Sequence, residues 1–258
     1  MTARILAYWR LCGMTGSGPL LRITYFGKTS FALESKDTSV LLNPGVWDNE
    51  PMVSDDFDCR VIIATNHEDD ALGNASTIAV NSKAWILGNE ATIERAREQG
   101  AKAWLLHVLK IEEPYEIPGL RVVPFALQKG GTETGQAIEN LGLQIDIGSM
   151  KVSYLGDTRV RGPFGDLETN VMIVPVSGEG VFEVKDAVSL CIDARPQIGI
   201  PVRWTSQDQP QKFIRYIDQF GKGTTPFKMD SGQTLEVQWA AGQEFQHKVV
   251  SSDEPEPE

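Results

Sequence analysis

The sequence predicts a mixed α/β sandwich, with sheets inside and helices on the outer faces. Three observations carry this. Residues 61–65 (VIIAT) and 84–88 (AWILG) are short, near-continuous apolar runs, the pattern of strands buried on both faces. Strand and helix patterns alternate in both halves, as βα units do. Polar loops follow the strands ending at Leu42, Thr65, Leu155 and Pro201, and such strand-end loops are where α/β folds hold ligands.

Taken in order, residues 20–26 (LLRITYF) are β-branched and aromatic, hence a strand. Gly27-Lys28-Thr29-Ser30 turns the chain. Residues 31–35 and 39–42 are the next two strands, broken by Lys36-Asp37, and Asn43-Pro44-Gly45 stops the second of them. The apolar strand 61–65 runs into the polar turn 66–70. Strand 84–88 follows, with Trp85, like Trp104, expected in core or helix packing. Residues 89–100 have helical periodicity and a glycine stop. Residues 112–123 read as strands about the Pro118-Gly119 turn. Strands are expected at 142–147, 151–155, 171–175, 198–201 and 234–239, and helices at 183–194 and 209–220. The domain assignment is an N-terminal extension over 1–19, one domain over 20–245 and an acidic tail over 246–258.

Charge and cysteine content exclude several function classes. Lys plus Arg number 24 against 35 Asp plus Glu, a net charge of −11. That is a poor match to a phosphate backbone, so no nucleic-acid partner is expected. A small anion held by a local basic pair remains compatible with it. The three cysteines, Cys12, Cys59 and Cys191, are far apart, which suggests neither a zinc knuckle nor a disulfide framework and points to a reducing, cytoplasmic setting. No apolar run approaches the roughly 18 residues of a membrane helix, so no membrane partner is expected. No GxSxG, GxGxxG or Walker-type loop occurs in a matching context.

Four motifs recur in a fixed order: Tyr25-Phe26-Gly27-Lys28-Thr29-Ser30-Phe31, then Leu41-Leu42-Asn43-Pro44, then residues 64–73 (ATNHEDDALG), then Tyr154-Leu155-Gly156-Asp157-Thr158. A fifth segment, 186–204, ends in Arg203-Trp204. Together, over roughly residues 20–230, they resemble the metallo-β-lactamase superfamily, and within it the branch of small cytosolic hydrolase-like proteins related to ascorbate-6-phosphate lactonases. The resemblance implies a four-layer αβ/βα sandwich. It also implies one or two metal ions on a Thr-His-x-His-x-Asp-His loop, a mid-chain His, the Asp of Gly-Asp-Thr and a final His.

This chain departs from that pattern. Aligned on Thr65, Asp70 and Gly73, the family's first two histidines become Asn66 and Glu68 and the third becomes Ala71. The mid-chain His falls near Gln128 and the last on Arg203. Asp70 and Asp157 remain as the candidate catalytic residues. His67 lies on the loop but one place out of register, and His107 and His247, the only other histidines, match no motif. A several-imidazole dinuclear zinc site cannot be assembled from three histidines. Converging carboxylates without a cation would repel one another, so Lys28 and Arg203 are expected to balance them. Lys28, Asn66, Gln128 and Arg203 are then the candidate anion-binding residues.

Two function classes follow. In the first, which ranks ahead, the protein has no cofactor, lacks the family's dinuclear-zinc hydrolysis and acts as a binding or scaffold protein, with a small anion as partner. In the second it is a hydrolase of a phosphorylated sugar, lactone or phosphoester. It would then use one Mn²⁺, Mg²⁺ or Zn²⁺ ion on Glu68, Asp70 and Asp157, with His67. Homo-oligomerisation is open in either case.

Overall fold

The computed structural model describes residues 20–130, 137–238 and 246–250. The expected extension 1–19 and the end of the acidic tail, 251–258, lie outside the described residues, as does Trp239 at the end of the last expected strand.

Strand β1 (Leu20–Gly27) is followed by β2 (Ser30–Glu34), β3 (Ser39–Leu42), the small hairpin β4 (Val46–Trp47) and β5 (Glu50–Pro51), and β6 (Val61–Ile63). Helix α1 (Ala75–Ser82), β7 (Trp85–Gly88), helix α2 (Glu90–Glu98) and β8 (Leu106–Val108) complete the first half. The second half runs β9 (Tyr115–Ile117), β10 (Leu120–Lys129), β11 (Ile138–Ile147), β12 (Met150–Tyr154) and β13 (Val171–Pro175). It continues through helix α3 (Val184–Ala194), β14 (Ile198–Val202), helix α4 (Asp208–Phe220), β15 (Thr225–Pro226), β16 (Thr234–Gln238) and β17 (Gln246–Val250).

One sheet has the order β17-β16-β1-β2-β3-β6-β7-β8 and the other β15-β14-β13-β12-β11-β10-β9. Within each, antiparallel hairpins give way to parallel βα pairing, at β3–β6 and at β12–β13 respectively.

Three apolar layers follow from strand alternation. Val61 and Ile63 point between the sheets, where they join Ile23, Leu33, Leu143, Val152, Ile173 and Ile200. Their neighbour Ile62 points the other way, against Ile78 of α1 and Ile93 of α2. In β13, Val171 and Ile173 face the inter-sheet core, while Met172 and Val174 meet Leu190 of α3 and Phe213 of α4. Helix–sheet–sheet–helix is therefore the four-layer sandwich the motifs imply, and it is why 61–63 and 171–175 read as apolar throughout.

Local chemistry sets the helix ends. Asn89 caps α2, its side chain accepting from Thr92 N at 2.9 Å. At α3 the capping box of Glu183 and Asp186 starts the helix.

Several expectations need correction. Helix α1 was not expected, because ASTIAVNS carries β-branched residues and no charged face; it forms because Ile78 and Ala79 bury against the sheet. The tail assignment over 246–258 begins too early, since Gln246–Val250 pairs antiparallel with β16. Trp85 and Trp104 are not core residues: they are 36% and 67% exposed, and Trp85 packs edge-on against Tyr115 at the sheet margin.

Candidate functional site: an ion-paired cluster at the strand ends

The site lies where the loops after β3, β6, β10, β12 and β14 meet. Backbone turns bring it together. Asn43, in the left-handed region (φ 43°), ends β3; its side-chain oxygen accepts from Thr65 N at 2.8 Å and its amide donates to Thr65 Oγ1 at 3.0 Å. Asn66 Oδ1 accepts from Glu68 N at 3.0 Å, an Asx-type turn that folds the acidic loop back. Its amide donates to Asn140 Oδ1 at 3.2 Å, and Asn140 in turn donates to Leu155 O at 3.0 Å. Asn66 thus stitches the two sheets and is fully buried. Gly45 fixes the position of Asp70, because a Cβ there would stand 2.2 Å from the Asp70 carbonyl oxygen. At Gly156 (φ +56°) a Cβ would stand 2.7 Å from Thr65 Oγ1, so the turn that delivers Asp157 requires glycine.

Five charged side chains converge within this frame. Arg203 Nη1 donates to Asp70 Oδ2 at 2.9 Å and to Asp157 Oδ2 at 2.8 Å. Lys129 Nζ donates to Asp70 Oδ2 at 2.6 Å, lies 3.3 Å from Asp157 Oδ2 and is paired with Glu68. Lys129 is 2% exposed, Arg203 8% and Asp157 0%. Asp157 Oδ1 and Asp70 Oδ1 are buried without a hydrogen-bond partner.

Electrostatics push the two aspartates apart. Burial raises the Asp157 carboxyl above the usual value, with the Asp70 charge adding to it, while Arg203 and Lys129 oppose the shift without cancelling it. For Asp70 burial also works upward, but Lys129 and Arg203 outweigh it and hold the carboxyl below the usual value. Burial works against the charge of Lys129, yet Asp157 and Asp70 more than compensate and raise its value. Arg203 behaves the same way, its burial offset by Asp157 and Asp70. Lys129 is therefore locked as an ammonium and is no nucleophile.

The expected residues divide accordingly. Glu68, Asp70, Asp157 and Arg203 are brought together, and Asn66 supports them. Gln128 is not: its side chain is exposed and its carbonyl oxygen accepts from Arg159 N at 2.8 Å. The side chain that enters the cluster is the next one, Lys129. A shift of one residue along a strand changes its face, and Lys129 shares its face with the buried Leu127, a period-two signal that could have found it. Lys28 touches no carboxylate of the cluster. Its ammonium lies 4.1 Å from the centre of the Trp47 ring, and the Arg203 guanidinium lies 5.5 Å from the same centre. The expectation that Lys28 shares the charge balancing with Arg203 is thus corrected: Lys129 does it.

Trp47 stands on the β4–β5 hairpin, whose turn residues Asp48 and Asn49 have φ 52° and 66°, as a two-residue hairpin turn requires. Lys28 and Arg203 are also left-handed (φ 52° and 55°) and are joined by the bond from Arg203 N to Lys28 O at 3.1 Å. Non-glycine residues rarely adopt this conformation, so the surrounding contacts hold both of them there. His67 is half-buried, its Nδ1 without a partner, and it forms no ion pair with the cluster. His107 and His247 sit on β8 and β17, the two edge strands of the larger sheet.

Fold and motif order define a metallo-β-lactamase-like protein, and direct comparison agrees. Residues 22–203 match the beta-lactamase superfamily domain, and the chain belongs to that superfamily. A UPF0173 protein of Pyrococcus furiosus is 27% identical over 205 residues, 77% of this chain and 91% of the relative. A UPF0173 metal-dependent hydrolase of Natranaerobius thermophilus is 25% identical over 195 residues, 72% of this chain and 84% of the relative. Among solved structures, Igni18, a metallo hydrolase of Ignicoccus hospitalis, superposes with a TM-score of 0.71 at 16% identity, over 86% of this chain and all of that one. The Natranaerobius relative is named for its dependence on a metal.

The donor set found here does not fit one. The carboxylate oxygens that would ligate an ion are bonded to Lys129 and Arg203. Among the described residues no group of three or more His, Cys, Asp or Glu side chains is disposed to hold a metal. No helix of the described residues is long and apolar enough to cross a membrane.

Proposed function

We propose that this protein uses the metallo-β-lactamase fold without a metal, as a binding protein for a small anion rather than as a hydrolase. The observation that carries the reading is the Lys129–Arg203 pair. Two buried cations occupy the carboxylates that a catalytic ion would need. A metal works in such a site by polarising an oxygen or activating water. Neither task passes to a guanidinium and an ammonium whose bonds to the carboxylates are already made.

Lys28 supports the anion. It is half-buried, held over Trp47 and forms no ion pair among the described residues. It lies beside Arg203 in a chain of net charge −11, so a cation is retained there against the prevailing sign. The motif resemblance to the ascorbate-6-phosphate lactonase branch suggests the class of anion, a phosphorylated sugar or sugar acid. A cytoplasmic setting and a possible homo-oligomer belong to the same proposal.

A second reading has support in the relatives, several of which are called metal-dependent hydrolases. In it, one divalent ion displaces the cations and the protein hydrolyses a phosphoester or lactone. One experiment separates the two. The purified protein is offered Zn²⁺, Mn²⁺ and Mg²⁺, dialysed, and analysed by plasma mass spectrometry, with phosphoester and lactone hydrolysis assayed in parallel. Trace metal and no turnover are expected; one bound equivalent with turnover overturns the proposal. Titration calorimetry with glucose 6-phosphate then tests the anion, with weaker binding expected for Lys28→Ala.

A further inference from the structure

The turn that carries Lys28 is held from both sheets. Lys28 (φ 52°) follows Gly27 (φ 126°), and a lysine seldom adopts such a positive φ unaided. Two phenols bind this turn. Tyr154 of β12, wholly buried, donates its hydroxyl to Thr29 O at 2.6 Å. Tyr25 of β1, also buried, donates to Lys28 O at 3.4 Å, and the same oxygen accepts from Arg203 N at 3.1 Å. Both rings pack on Phe31, whose centre lies 4.8 Å from that of Tyr25 and 6.4 Å from that of Tyr154. The strand partners of Tyr154 are the apolar Leu143 and Ile173, so a phenylalanine would pack there as well. The hydroxyl, bonded across to the other sheet, is what tyrosine adds. Burial raises both phenols above the usual value, with the Asp157 charge adding at Tyr154, so both stay protonated donors at neutral pH.

We propose that the Tyr154 hydroxyl is a positioning group for the anion site: through Thr29 O it holds the Lys28 turn left-handed and keeps the ammonium over Trp47, where it meets the anion. The chain order supports this. Tyr154 stands three residues before Asp157, so the strand that delivers a carboxylate of the cluster also anchors the turn that delivers the free cation. The Lys28 ammonium 4.1 Å from the Trp47 ring centre is the visible result, and a cation held over an indole face loses little further freedom when an anion arrives. The inference rests on Lys28 as the anion-binding cation and extends that reading to a residue of the opposite sheet that is too deeply buried to touch the ligand.

The test uses the full chain with its lysine side chains isotopically labelled for NMR. Lys28 should give a resonance displaced by the Trp47 ring current, assigned by its loss in Lys28→Ala. Tyr154→Phe removes one hydroxyl and should move that resonance toward the position of the exposed lysines, with thermal unfolding as the check that the chain is folded. Tyr25→Phe removes the longer bond, should move it less, and carries the test if Tyr154→Phe does not fold. Titration calorimetry with glucose 6-phosphate gives the second readout. Tyr154→Phe should raise the dissociation constant about three- to tenfold, the equivalent of roughly one hydrogen bond. On a Lys28→Ala background the same change should add nothing, because a positioning group acts only through the group it positions. An unmoved resonance in the folded variant, an unchanged affinity, or a loss that persists without Lys28 overturns the inference and leaves the anion reading standing. Wild-type protein that binds no glucose 6-phosphate overturns the anion reading instead, and the resonance alone then decides whether Tyr154 places Lys28.

Discussion

Arg203→Met should be the most damaging single change in the site. Its guanidinium lies 2.8 Å from Asp157 and 2.9 Å from Asp70, and both it and Asp157 are buried. At an effective dielectric of about 20, a pair at this spacing attracts by roughly 6 kcal/mol before desolvation is subtracted. Methionine keeps much of the stem but leaves three carboxylates facing Lys129 alone, so the cluster moves from a net −1 to −2. Removing one partner of a buried pair costs about 3–5 kcal/mol, because the other charge stays uncompensated, and that range is expected here. Asp157→Asn moves the cluster the other way, to zero, and should cost less, about 1–3 kcal/mol, the range for leaving one buried partner unsatisfied. The double variant returns to −1, so the two costs should not add; the coupling should be on the order of 2 kcal/mol. Equilibrium urea unfolding of the four proteins closes the cycle. An Arg203→Met cost below about 1 kcal/mol, the range of a surface pair, or strict additivity would refute the claim that these charges form one buried unit.

Four further outcomes follow. The Asp70 carboxyl is held below its usual value, 3.8. Its contribution to stability is therefore complete above that pH and lost as pH falls through the lowered folded value; Asp70→Asn should flatten this acid limb relative to wild type in pH-dependent unfolding. At the other end, Lys129 is raised above 10.5, so its contribution is complete below that pH and fades only as pH rises through the higher folded value, a limb that Lys129→Met should lack. Gly45→Ala should destabilise by more than about 2 kcal/mol in thermal unfolding, since the new methyl overlaps the Asp70 carbonyl at 2.2 Å; a neutral result would mean the loop is not held there. Prolonged EDTA treatment should leave the unfolding midpoint unchanged, whereas a fall of several degrees would mean a metal contributes to the folded state.

Much of this was legible in the sequence. Alternation and apolar runs are local properties, so β3 (Ser39–Leu42) and β13 (Val171–Pro175) are found at the expected bounds. The loop motifs marked Glu68, Asp70, Asp157 and Arg203, because a strand-end turn such as Gly156-Asp157-Thr158 is written in consecutive residues.

What sequence by itself could not decide is which distant side chains meet. Lys129 lies 59 residues from Asp70, and Arg203 lies 133 residues from it. Their pairing depends on two sheets packing face to face, which turns the Lys129 face of its strand rather than the Gln128 face toward the cluster, and on glycines that admit close backbone contact. Helix α1 owes its form to the sheet it covers, and strand β17 to its pairing with β16, rather than to their own propensity. The chain's residues determined the layers and the anions, because periodicity and turn chemistry are local. Only the tertiary structure decided which cations neutralise those anions, because burial and charge proximity are properties of the packed whole.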